Sequence, residues 1–90
     1  MKKLMKWLSE QNIEFTVDKK GYIVINLESN CVWVNGLGED MVYDKKICMY
    51  QDTYKNYVIT EVTGYMMVAT LFKGTKADNA IKILSKRFDR

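Results

Sequence analysis

The chain is 90 residues long, 48% hydrophobic and 28% charged, with a formal net charge of +3. That describes one small domain spanning 1–90, too rich in aromatic and β-branched residues to stay disordered. Histidine is absent, which removes histidine-based triads, histidine acid–base catalysis and histidine-ligated zinc from the available chemistries.

The longest uninterrupted apolar run, Tyr65–Ala69, is five residues, against the roughly 18–20 that span a bilayer. Leu4-Met5 is broken at once by Lys6, so neither a secretory leader nor a membrane partner is expected, and cytoplasmic residence is. Cys31 and Cys48 form no CxxC and are too few for a disulfide scaffold, so two free thiols and no cofactor are expected. Residues with AT-rich codons (Phe, Tyr, Met, Ile, Asn, Lys) number 40 against 10 for Gly, Ala, Arg and Pro. That skew suggests a low-GC source such as a Gram-positive bacterium, its phages or its mobile elements.

Residues 2–12 predict an amphipathic helix, with Leu4, Met5 and Leu8 as the apolar stripe and Lys2, Lys3 and Lys6 on the wet side. Gln11-Asn12 supplies its end. The period then changes to two. Ile13, Phe15 and Val17 alternate with Glu14, Thr16 and Asp18, as in a half-buried strand. Asp18-Lys19-Lys20-Gly21 reads as a turn, leading into a second strand over 22–27. Glu28-Ser29-Asn30 reads as another turn before a third strand over 31–35, which makes an antiparallel meander.

Residues 36–44 read as a loop, 46–51 as a fourth strand, 52–56 as a loop and 57–62 as a fifth strand. Thr63-Gly64 can close a hairpin into 65–72, where Met, Ala and Leu favour helix while Tyr, Val, Thr and Phe favour strand; strand is preferred. The last helix follows Gly74, with Thr75 as candidate N-cap and Asp78 in the first turn. Ala77, Ile81, Leu84 and Phe88 form its apolar stripe. The expected fold is therefore α+β, a single antiparallel sheet of five to six strands with an N-terminal and a C-terminal helix packed on one face.

Alternation divides the sheet residues. Ile13, Phe15, Val17, Ile23, Ile25, Leu27, Val32, Val34, Ile47 and Met49 are expected under the helices. Tyr22, Val24, Asn26, Cys31, Trp33, Asn35, Cys48 and Tyr50, with Tyr57 and Ile59, are expected on the reverse. Rings and amides mixed on an uncovered face have the composition of a binding patch. The expected function is thus a small non-enzymatic protein that docks on a larger protein partner, an accessory or inhibitor protein of a phage or mobile element. Trp33, Tyr50, Tyr22 and Asn35 would make contact, with Glu39 and Asp40 in a polar rim; the same patch could serve a homodimer.

A single-stranded nucleic-acid binder is the alternative, with sheet aromatics for stacking and Lys82, Lys86, Arg87 and Arg90 for phosphates. Three weaker signals favour plain structure. Gly36-Leu37-Gly38 is followed by acids that would repel phosphate, so it reads as a turn. The loop acids Glu39, Asp40 and Asp44 match no calcium-loop spacing. Asp18-x-Lys20 and Asp44-x-Lys46 match an acid-x-lysine nuclease element only over three residues, and no metal site is expected from them.

Overall fold

A computed structural model describes all 90 residues. The order is α1 (Lys2–Glu10), β1 (Thr16–Val17), β2 (Ile23–Val34), β3 (Asp40–Gln51), β4 (Tyr57–Gly64), β5 (Met67–Gly74) and α2 (Ala77–Phe88). The strands form one antiparallel sheet in sequential order, β1-β2-β3-β4-β5. This is the expected α+β architecture, and residues 67–74 are strand.

Helix α1 stops because Asn12 takes the left-handed conformation, at φ 56. Asn12 N–H then reaches back to Ser9 O and Ile13 N–H to Leu8 O, which satisfies carbonyls the helix end would orphan. Asp89, at φ 54, ends α2 in the same way, with Arg90 N–H donating to Ser85 O. At its start α2 is capped by Lys76 with no side-chain bond, so Thr75 lies outside the helix and does not cap it.

The core is Leu4 and Leu8 from α1, Ile13, Ile23 and Ile25, Ile47 and Met49 from β3, Ile59 from β4, and Ala80 and Leu84 from α2. Pairing places Met49 opposite Ile59 and Ile59 opposite Phe72, so one row of apolar side chains runs across the sheet beneath the helices. Ile59 and Tyr57 therefore belong to the covered side and not the reverse face.

One turn design recurs three times, at residues 18–22, 35–39 and 52–56. Its first residue, Asp18, Asn35 or Asp52, donates its own N–H to the carbonyl of the fifth. Its side-chain oxygen accepts the N–H groups of the third and fifth residues at 2.9–3.0 Å. The fourth residue, Gly21, Gly38 or Lys55, is left-handed and donates to the carbonyl of the first.

Two expectations fail in the middle of the chain. Glu28-Ser29-Asn30 is not a turn, because β2 runs on from Ile23 to Val34 and pairs with β3 at Glu28 and on both sides of the segment. Two register shifts, between Asn26 and Glu28 and between Glu28 and Cys31, each insert one extra residue. Asn30, at φ 57, sits in the second bulge, and its N–H is satisfied by Asp44 Oδ1 at 3.0 Å. Nor is 36–44 a long loop, since the tight turn at 35–39 lets β3 begin at Asp40. Likewise the predicted strand over 13–17 pairs only at Thr16 and Val17, because Ile13 is tied back to α1.

Candidate functional site

The helical layer stops short of one end of the sheet. Arg87, in the last turn of α2, reaches Glu61 on β4, and Glu61 pairs with Ile47 on β3. Beyond Ile47, β3 has no partner on the β4 side, and β2 has none on its outer edge past Val24. Residues 28–34 and 40–46 thus form a two-stranded arm. Seven strand residues reach about 23 Å at the usual rise, and the molecule measures 44 × 29 × 26 Å. Its radius of gyration is 14.3 Å, against the roughly 12 Å typical of a compact chain this long.

Because the two bulges each reverse the side-chain alternation, together they restore it. Cys31 pairs with Tyr43 and Trp33 with Met41, which places all four on the side of β3 that carries Ile47 and Met49. Val32 pairs with Val42 and Val34 with Asp40 on the opposite, helix-free side. The expected face assignment is therefore reversed in the arm. Trp33 and Cys31 share the helix side, while Val32 and Val34 do not pack under the helices.

Trp33 stacks on Tyr65 from the β4–β5 turn, with ring centroids 5.4 Å apart and planes within 6°, and Tyr43 meets Tyr65 edge-on at 6.4 Å. These rings brace one side of the arm. The other side is bare: Val32 and Val34 are each 57% exposed and Val42 is 60% exposed. Leu37 at the arm tip and Met66, Met67 and Val68 of the neighbouring hairpin are exposed as well. Of the large apolar side chains left in water, all but Val17 and Tyr54 lie at this end of the molecule.

The sequence-predicted contact residues are not gathered into one patch. Tyr22 and Tyr50 stack on each other at 4.8 Å, half-buried on the helix-free side at the other end of β3 from the arm. Trp33 remains 47% exposed, in the arm on the opposite side. Asn35 spends its side-chain oxygen on Leu37 and Glu39 N–H, and its amide nitrogen on Glu39 Oε1 at 3.2 Å, so it builds the arm's turn. Glu39 and Asp40 are exposed beside that turn. With Glu28 and Asp44 they set four acids on the arm and its turn against Lys45 and Lys46, of which Lys45 lies 3.8 Å from Glu28. The exposure of Val32, Val34 and Val42 was not expected from the sequence, although β-branched residues either side of a turn were the available signal.

The basic residues of the alternative reading are divided too. Arg87 Nε donates to Glu61 Oε1 at 2.6 Å and ties α2 to the sheet. Lys82, Lys86 and Arg90 lie on or just past α2, across the sheet from the Tyr22–Tyr50 pair. The rings and the cations therefore form no shared track. Both acid-x-lysine acids hold backbone: Asp18 closes a turn and Asp44 braces a bulge. No group of three or more Cys, Asp or Glu side chains converges as a metal site would. Cys31 and Cys48 are free thiols, and burial pushes Cys48 above the usual thiol range, outweighing the attraction of Lys46. No helix is long and apolar enough to cross a membrane.

Comparison with protein-family models, with curated proteins and with solved structures finds no match to this chain.

Proposed function

We propose that this chain is a non-catalytic protein-binding module that docks on a larger protein through the β2–β3 arm, as an accessory or inhibitor protein does. One observation carries the reading, namely the gathering of Val32, Val34, Val42, Leu37 and Trp33 on an arm that the helical layer does not cover. An isolated two-stranded hairpin is at best marginal in water, and apolar surface concentrated at one end marks an interaction site. Trp33 is the more exposed of the arm's two rings. Tyr22 and Tyr50 lie apart from the arm and play no part in the contact.

The test compares wild-type protein with Val32→Lys/Val34→Lys as immobilised baits in lysate of a low-GC Gram-positive host. Circular dichroism first establishes that both are folded. A protein retained by the wild type and lost with the double variant, then shown by hydrogen exchange to protect the arm, supports the reading. Identical captures by both baits overturn it.

A further inference from the structure

The arm has two open edges as well as an open face, and the edges differ. The outer edge of β2 is broken by its two bulges, which twist an edge away from further pairing. The edge of β3 from Asp40 to Lys46 carries no extra residue and meets no strand. Its hydrogen-bonding groups follow from the turn. Asn35 N–H donates to Glu39 O at 3.0 Å, so these two form a bonded pair. Bonded and non-bonded pairs alternate along an antiparallel ladder. Met41 and Tyr43 therefore spend their backbone groups on β2, while Asp40, Val42 and Asp44 direct theirs outward.

Those three residues also share the helix-free side, in the order acid, valine, acid. Resting on the docking reading above, we propose that this edge takes up an extended segment of the partner as an added strand. The segment would be apolar where it faces Val42 and carry Lys or Arg where it faces Asp40 and Asp44. Directly opposed side chains of opposite charge support a strand pair, and like charges oppose it. A second copy of this chain matches that pattern less well. Two-fold pairing centred on Val42 sets Asp40 against Asp44 of the second copy, twice. Centred on Tyr43, it gains two Asp40–Lys46 pairs but sets Val42 against Asp44 of the second copy, twice. A basic-flanked strand of another protein meets neither conflict.

The probe is an acetylated, amidated, dye-labelled peptide with the core Lys-Thr-Val-Thr-Lys, and the control replaces both lysines by glutamate. Binding is read by fluorescence anisotropy at low salt, and its position by amide chemical shifts of the full chain. The lysine peptide is expected to bind at least tenfold more tightly than the glutamate peptide and to shift the amides of Asp40, Val42 and Asp44. Asp40→Lys, which leaves the Asp44–Asn30 brace in place, is expected to narrow or reverse that preference. Equal binding of the two peptides, no binding, or shifts confined to the helices overturn the strand-addition proposal. So does self-association of the free protein that shifts the same three amides. The docking reading is judged separately, because Val32 and Val34 lie on β2. Arm-dependent capture together with peptide failure leaves face docking and removes the added strand.

Discussion

The three matching turns make an internal control on the cost of a left-handed residue, and Lys55 is where that cost falls. The fourth turn position holds Gly21 at φ 85, Gly38 at φ 78 and Lys55 at φ 63. Only at Lys55 does a side chain have to be carried through this region, which costs an L-residue about 1–2 kcal/mol. Lys55 makes no ion pair, and its carbonyl, which accepts Gln51 Nε2 at 3.2 Å, survives any substitution. Lys55→Gly should recover the strain and give back about 0.4–1 kcal/mol through the greater freedom of glycine in the unfolded chain. The net expectation is a gain of about 0.5–1 kcal/mol. At about 4–8 °C per kcal/mol for a domain of this size, the melting temperature should rise by a few degrees. Gly38→Ala is the mirror experiment. A Cβ built at Gly38 meets nothing within 4 Å, so its cost is conformational and not steric, and a loss of about 1 kcal/mol is expected. Urea unfolding followed by tryptophan fluorescence and far-ultraviolet circular dichroism measures both. A destabilised Lys55→Gly, or an unchanged Gly38→Ala, would refute the reasoning.

Asp52 gives the same turn a pH dependence. Burial pushes its carboxyl up, but hydrogen bonds from the Asn56 side chain and from Asn56 and Tyr54 N–H, with Lys73 nearby, outweigh this and hold it below the usual carboxylate range. A depressed folded value means that the stabilisation is present above the ordinary carboxylate pKa and is lost as pH falls through the folded one. Asp52→Asn, which keeps an acceptor oxygen as Asn35 does, should flatten this part of the acid limb in urea midpoints measured from pH 6 down to pH 2. In the arm, Tyr65→Ala should remove the stack on Trp33, worth about 0.5–1.5 kcal/mol beyond buried area. Native-state hydrogen exchange should then show lost protection at Met41 and Tyr43 with Ile47 and Met49 unchanged. Uniform loss across β3 would mean that the arm does not open on its own.

The class of fold was legible because its two signals are local. Leu4 and Leu8 lie one helical turn apart and are both fully buried, and Ile23 and Ile25 alternate as a half-covered strand should. The arm was harder to read, for two physical reasons. Ser29 and Asn30 have turn chemistry, and Asn30 does adopt a turn conformation. The acceptor that makes it a bulge instead is Asp44, fourteen residues away, which no local rule detects. Met41, Val42 and Tyr43 form an apolar run without alternation, because one side of the arm packs on Tyr65 while the other keeps its valines bare. A two-residue period reports one wet face and one dry face, and here neither face is plainly either.

The arm thus separates stability from exposure. A hairpin alone cannot hold its shape in water, and this one is stiffened from one side only. On that side Trp33, Tyr43 and Tyr65 supply ring contacts borrowed from the β4–β5 turn. At the tip Asn35 fixes the turn with its side-chain oxygen, and at the base Asp44 fixes the bulge. None of these devices uses Val32, Val34 or Val42. Had stability been the only demand, polar residues at those three positions would have kept every brace and removed the solvent-exposed apolar surface. The valines thus stand outside the scaffold, and it is on them, and on the acids beside Val42, that the docking and strand-addition proposals rest.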